Sequence, residues 1–273
     1  MWPNSILDYM KSKPLITIAT VTYNAVKTLE RTMQSVADQD YPRVEHLIVD
    51  GCSKDNTLSI VQRFVERNTT LEKPHSIRLI CDHDNGLYDA MNKAIAAAQG
   101  NYIVFLNAGD KLHEKTTLSS IVEQIEWTRW NHANPAIIYG ETDLVDNKGN
   151  FIRHRRLTTP ERLTSKSFLS GMRVCHQSFY VSTELAREVP YNLKYHYSAD
   201  FDWCICLMKM AEKRRMRIHN THLILTDYLN EGLTTQNHRK SLFERLRIMG
   251  HHYGWPATIL EHFWFIVRTI IKR

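Results

Sequence analysis

The sequence predicts an α/β protein with a mostly parallel central sheet flanked by helices, on two observations. Short apolar runs at 15–22, 44–49, 77–81 and 102–106 alternate with stretches in which apolar residues recur at helical spacing: Val26, Leu29, Met33 and Val36, then Leu58, Val61, Phe64 and Val65. Strands that alternate with amphipathic helices build a parallel sheet covered on both faces. Each run also stops at a polar cluster: Thr22-Tyr23-Asn24, Asp50-Gly51-Cys52-Ser53, Asp82-His83-Asp84-Asn85-Gly86 and Asn107-Ala108-Gly109-Asp110. In a parallel sheet such tips share the carboxyl edge, where open α/β sheets bind ligands.

Taken in order, the first strand leads through Asn24, a candidate cap for a helix starting near Ala25. The second ends on Asp50, whose carboxylate can accept from an imide or amide N–H of a ligand or simply stabilise a turn. Asp55 is the expected N-cap of a helix over 56–67. After the third strand a helix from Gly86 to Gln99 puts Asp84 just before it and Tyr88 and Asp89 in its first turns, where acids also complement the helix dipole. Beyond the fourth strand stands Asp110, which can hold a divalent cation against a diphosphate or simply belong to a turn of Asn, Gly and Asp.

The second half reads as a helix over 116–127, a strand over 135–139 and a hairpin turn at 146–150 between Leu144 and Phe151. The cluster Arg153-His154-Arg155-Arg156 is a solvated strand edge or a phosphate contact. Asp200 precedes a helix expected over 201–212 and is a candidate N-cap there. From Gly254 onward, Ile259, Leu260, Phe263, Trp264, Val267, Ile270 and Ile271 share one helical face, with Arg268, Lys272 and Arg273 elsewhere. That helix is too short and too charged to span a bilayer; it lies in a membrane interface or packs on the core.

Composition narrows the partners. The 273 residues, 43% hydrophobic and 23% charged, suffice for one sizeable core or two fused smaller ones. A net charge of +6 favours anionic partners such as nucleotides or phospholipid headgroups. No basic stripe with interleaved aromatics suggests nucleic acid. Five cysteines without a C-x-x-C pair point to free thiols in a reducing compartment. Met1 to Ser5 lacks the basic and apolar regions of a secretory signal, so the expected location is cytoplasmic, with peripheral contact to the inner face of the plasma membrane as an extension. Neither G-x-G-x-x-G nor a P-loop is present, so a nucleotide would be held by side chains and a metal.

Four motifs in order, Thr17-Ile18-Ala19-Thr20-Val21-Thr22-Tyr23-Asn24, Val49-Asp50-Gly51-Cys52-Ser53-Lys54-Asp55-Asn56-Thr57, Asp84-Asn85-Gly86-Leu87-Tyr88-Asp89-Ala90-Met91-Asn92-Lys93 and Phe105-Leu106-Asn107-Ala108-Gly109-Asp110, resemble the family 2 glycosyltransferases. Gly86 to Lys93 looks like the branch working on bacterial capsule, O-antigen and colanic-acid-type polysaccharides. The resemblance implies a GT-A fold over 1–235, with a nucleotide-binding half at about 14–110 and an acceptor half at about 111–235, followed by a helical extension at 236–273. It implies an inverting enzyme that moves a sugar from a nucleotide-diphosphate sugar to a glycan or lipid-linked glycan. A non-catalytic nucleotide-sugar or carbohydrate-binding relative is the alternative.

The resemblance also implies roles. Thr22 and Tyr23 line the base pocket and Asp50 meets the base, although many members carry two acids where this chain has Asp50-Gly51. Asp84, Tyr88, Asp89 and Asn92 flank the donor. Asp110 takes the last place of the D-x-D metal motif, with Asn107 and Gly109 where carboxylates are often found, so Mg²⁺ or Mn²⁺ would rest on one carboxylate and at most a water-mediated contact from Asn107. His176 and Gln177 stand near the donor diphosphate or sugar. Asp200 is the general base that an unactivated hydroxyl requires, with Asp202 in reserve, and the loop at 230–236 closes over the site.

Overall fold

The computed structural model describes residues 13–70, 75–127, 134–230 and 237–271, apart from the side chains of His238 and of 265–271. The expected alternation is present in the first half: β1 (Ile16–Thr22), α1 (Leu29–Ala37), β2 (Val44–Asp50), α2 (Thr57–Thr69), β3 (Ser76–Cys81), α3 (Leu87–Ala97) and β4 (Tyr102–Phe105). These four strands pair in parallel in the order β3-β2-β1-β4. Register sets Thr22 opposite Asp50 and Asp50 opposite Cys81, so three strand tips lie in one row along the carboxyl edge.

Beyond β4 come β5 (Lys111–Leu112), α4 (Thr117–Ile125), β6 (Ile137–Val145), β7 (Phe151–His154), β8 (Phe179–Ser182), α5 (Thr183–Glu188), α6 (Ala199–Lys213), β9 (Ile218–Leu229), α7 (His238–Tyr253) and α8 (Trp255–Ile271). The same sheet continues through β8, β6, β9 and β5, with β7 paired to β6. β8 runs antiparallel to β4 and β6 antiparallel to β8, whereas β9 lies parallel to β6. The expectation of a mostly parallel sheet is thus correct for the first half only. The second half is mixed: β8 runs against both its neighbours, β5 runs against β9, and a hairpin closed by Asp146 N–H donating to Asn150 O at 3.0 Å adds β7 to β6.

The two sheet faces are covered by different helices. On one side Tyr88 and Met91 of α3 and Phe201 and Trp203 of α6 pack with Phe105, Tyr139 and Phe179 of the sheet. The Tyr191 ring stacks on Trp203 at 4.5 Å between centroids and meets Phe105 edge-on at 5.5 Å. On the other side Leu118, Ile121 and Ile125 of α4 pack with Ile16, Ile18, Val104 and Tyr180. In α1, Leu29 and Met33 recur at helical spacing and are fully buried against Ile48, Val61 and Phe64, each such side chain contributing about 1.5–3 kcal/mol of transfer free energy. This packing fixes the sheet edge.

Several boundaries differ from the sequence expectation. The first helix starts at Leu29, so Asn24, at φ +51°, caps nothing; its Oδ1 accepts from Lys54 N–H and its own N–H donates to Ser53 Oγ. Asp55 stands one residue before the Asn56 N-cap and accepts from Thr57 N–H at 3.0 Å. β6 is longer than the strand expected from Pro135, and β9 was not foreseen. Residues 231–236 of the closing loop and Lys272 and Arg273 lie outside the described residues.

Candidate active site

Two acids organise the edge. Asp200 enters in the first turn of α6, not as its N-cap, because the helix begins at Ala199. Its Oδ1 accepts from the Tyr88 hydroxyl at 3.1 Å and its Oδ2 faces His176 Nδ1 at 3.2 Å. Asn107 Nδ2 donates to His176 Nε2 at 3.3 Å, which leaves Nδ1 as the protonated nitrogen that donates to Asp200. Burial alone would raise the Asp200 carboxyl, but the His176 hydrogen bond, the nearby Arg245 guanidinium and the Tyr88 hydroxyl outweigh it and hold the group below its ordinary value. A side chain that is 14% exposed therefore carries an ionised carboxylate.

Asp110 is the second acid, 3% exposed at the turn after β4. Leu229 N–H donates to its Oδ1 at 2.8 Å and Gln177 Nε2 to its Oδ2 at 2.9 Å. Burial outweighs these bonds and the neighbouring His176 and Arg31, and pushes the carboxyl up to about 6. The turn also accounts for a glycine at position 109. Gly109 sits at φ +108°, where side chains are strained, and a Cβ there would come within 2.7 Å of Leu229 Cδ2. At Gly51 the Asp84 carboxylate occupies the space that a Cβ would need.

Buried polar atoms without a protein partner mark where a ligand is expected, since such groups are costly to leave unpaired. Among the described residues these include Thr22 Oγ1, Asn107 Oδ1 and Gln177 Oε1. They also include Arg31 Nε and Nη2 and Arg245 Nε. Three belong to residues singled out from sequence. Arg31 and Arg245 were not, because a basic residue on a helix reads as solvent-facing until the fold turns it inward.

The remaining candidates divide. Asp50 is buried, with Oδ1 accepting from Ser53 N–H at 2.7 Å and Oδ2 from Ser53 Oγ at 2.6 Å, so it shapes the turn at the β2 tip. Tyr23 is 59% exposed beside it. Asp84 Oδ1 accepts from Gly86 N–H and Asp89 Oδ2 from Asn85 N–H, both at 2.9 Å, which ties the loop into α3. Asn92 spends both amide atoms on the backbone of Tyr191, and Tyr88 contacts the base candidate. The structure thus brings Tyr88, Asn107, His176 and Asp200 into one network and Gln177 and Asp110 into another, while Asp89 and Asn92 hold loops. Asp202 does not share the site: its Oδ1 pairs with His252 Nε2 at 2.7 Å and links α6 to α7.

The profile of the family described as Glycosyl transferase family 2 matches residues 17–186, more than half of the chain. The chain belongs to this family. A PGL/p-HBAD biosynthesis glycosyltransferase of Mycobacterium bovis (strain BCG / Pasteur 1173P2) is 31% identical over 275 residues, covering 95% of this chain and 97% of that protein. Among solved structures, S. aureus TarS 1–349 in complex with UDP-GlcNAc matches 92% of this chain and 73% of that fragment, with a TM-score of 0.65 at 17% identity. This chain spans 39% of a longer TarS structure. The mannosyltransferase PcManGT from Pyrobaculum calidifontis, solved with GDP-Man and Mn²⁺, matches 92% of this chain and 75% of its own at a TM-score of 0.60 and 16% identity. The fold is the GT-A α/β fold, with a curled mixed sheet between helices. This family 2 member is a glycosyltransferase, and no helix among its described residues is long and apolar enough to cross a membrane.

Proposed function

We propose that this glycosyltransferase moves a sugar, with inversion, from a nucleotide-diphosphate sugar to a hydroxyl of a glycan or lipid-linked glycan, with Asp200 as general base. The observation that carries the reading is the carboxylate of Asp200, held ionised in a largely buried site by His176 and Tyr88. An acceptor hydroxyl beside it loses its proton to the carboxylate while its oxygen attacks the anomeric carbon, and the bond to the diphosphate breaks on the opposite face. One base suffices for inversion, as in hydrolases that invert without a carboxylate nucleophile. The nucleotide sugars bound to TarS and PcManGT support this donor class.

A divalent cation, Mg²⁺ or Mn²⁺, fits beside Asp110. The donor set is a carboxylate with the unpartnered amide oxygens of Asn107 and Gln177, and hard cations prefer oxygen. When bound, such an ion would neutralise charge on the departing diphosphate. Around it, Gln177 and the Leu229 amide hold the Asp110 carboxylate in one orientation, and Arg31 adds positive charge to the same side.

The helical extension is read as a peripheral membrane contact. Ile259, Leu260, Phe263 and Trp264 of α8 are 53–71% exposed, so this part of the helix does not pack its apolar face on the core. Leu242 and Phe243 of α7 are exposed as well, in the same helix as exposed Arg239, Lys240 and Arg247. An exposed apolar face with basic neighbours suits an anionic lipid surface, where a lipid-linked acceptor resides.

A donor screen tests the reading. The protein is incubated with UDP- and GDP-sugars, with and without Mn²⁺, while released nucleoside diphosphate is followed and product anomers are assigned by NMR. Metal-stimulated release with an inverted product supports it. Nucleotide-sugar binding without any turnover favours the non-catalytic alternative.

A further inference from the structure

Cys52 and Cys81 place two thiols on the rim of the nucleotide edge, and none of the roles above uses them. Cys81 ends β3 opposite Asp50 of β2, and Cys52 follows Asp50 in a turn that it enters at φ +60°. The two sulfurs are 3.7 Å apart, and Cys81 Sγ lies 4.0 Å from Asp50 Oδ1. Cys81 is exposed and Cys52 half-buried, whereas Cys204 is shut in the core. A disulfide bond is about 2.05 Å long, so these sulfurs need to approach by less than the length of one more bond.

We propose that Cys52 and Cys81 form a reversible disulfide in response to a hydroperoxide, and that closing it weakens nucleotide binding at the neighbouring strand tips. The sulfur of Cys81, as the exposed member, attacks the peroxide O–O bond, giving a sulfenic acid and an alcohol (water, for hydrogen peroxide). The Cys52 thiol attacks that sulfur, the S–O bond breaks and water leaves. Two thiols and one hydroperoxide become one disulfide, one alcohol and one water; both sulfurs are oxidised and the peroxide is reduced. Burial and the adjacent Cys81 and Asp50 raise the Cys52 thiol, in keeping with its second place in the sequence. Thiol exchange with a dithiol reductant reverses the bond.

The effect on nucleotide rests on the reading that the edge holding Thr22 and Asp50 receives the base. Both Asp50 oxygens are fixed by Ser53 within the turn that carries Cys52. Drawing Cys52 toward β3 shifts that turn, and by linkage a bound nucleotide resists the shift as much as the shift opposes the nucleotide.

The test uses the full chain, reduced and then treated with hydrogen peroxide, with thiol blocking and peptide mapping. The expected result is a Cys52–Cys81 crosslink that dithiothreitol reverses, that is absent in Cys52→Ser and in Cys81→Ser, and that persists in Cys206→Ser. UDP or GDP, whichever binds the reduced protein, should slow its formation, and oxidation should weaken that nucleotide's affinity about tenfold. Over-oxidised Cys81 without a crosslink, or a crosslink through other cysteines, overturns the site. A correct crosslink with unchanged nucleotide affinity overturns the switch. A reduced protein that binds neither nucleotide defeats the nucleotide reading and the switch with it, while the peptide map alone decides the disulfide.

Discussion

The Tyr88 hydroxyl donates to Asp200 Oδ1 at 3.1 Å, joining the first turns of two helices that are remote in sequence. Tyr88 is buried and its ring stacks on Tyr191 at 5.4 Å between centroids, so the hydroxyl has little freedom to point elsewhere. Together with His176 on the other oxygen, it fixes the carboxylate in one plane and stabilises its charged form.

Tyr88→Phe removes that bond while keeping the ring. A hydrogen bond to a charged group contributes about 1.5–3 kcal/mol, so kcat at neutral pH should fall about tenfold. In the proposed mechanism the carboxylate is the active form, and losing a donor to it raises its pKa. The acid limb of the kcat profile should therefore move to higher pH. A pH–rate profile superimposable on wild type would remove Tyr88 from this role.

A cation held by Asp110, as proposed, would bind in a pH-dependent way. Its carboxyl is pushed up to about 6, so protons compete with the cation below that value. Mn²⁺ affinity, measured by titration calorimetry with nucleoside diphosphate present, should be higher at about pH 7.5 than at about pH 5.5, with protons released on binding near pH 6. The stability sign also follows. The folded state holds this proton more tightly than the unfolded chain, so the cation-free protein loses stability as pH rises from about 4 to about 6. Asp110→Asn should abolish both effects. Equal Mn²⁺ affinity at the two pH values would place the cation elsewhere.

Glu244 holds the segment that leads into α6. Its carboxylate accepts from the N–H groups of His196, Tyr197 and Ser198 at 2.8, 2.7 and 2.9 Å. Glu244→Ala strands these donors and should cost about 2 kcal/mol or more, read as a lowered Tm. Turnover should fall with it, because the stranded segment directly precedes Asp200. Glu244→Gln, which keeps one acceptor oxygen, should recover part of both. An unchanged Tm in Glu244→Ala would refute the anchoring role.

Leu260→Ser/Phe263→Ser tests the membrane contact without disturbing the core, since these side chains are 71% and 64% exposed. Wild type should float with anionic liposomes and be released by high salt, as expected when part of the attraction is screened. The double variant should stay in solution with its Tm unchanged. Equal flotation of both proteins would contradict the reading.

The first half of the fold was legible because parallel strands buried on both faces are written as continuous apolar runs, and their polar tips stand out against them. The second half was not. β9 carries the polar residues His219, Asn220, Thr221 and His222, and its apolar run is only Leu223-Ile224-Leu225. Asp200, Asp110, His176 and Gln177 were visible as two acids, an imidazole and an amide in motif context. The atoms that orient them were not, since the N–H that holds Asp110 belongs to the backbone of Leu229, and a backbone group leaves no trace in residue type. The same limit concealed what surrounds Gly51 and Gly109. Only the fold shows the Asp84 carboxylate and the Leu229 side chain filling those spaces.

Asp200→Asn measured in parallel for donor affinity and turnover tests the central claim most directly. The amide preserves size while removing the proton acceptor, and Asp202→Asn serves as the control because Asp202 is paired with His252 away from the base position. The account predicts donor affinity within a few-fold of wild type and turnover lowered about 10²-fold or more in Asp200→Asn, the range expected when a general base is lost. Turnover near the wild-type value in Asp200→Asn, with activity abolished in Asp202→Asn, would contradict it.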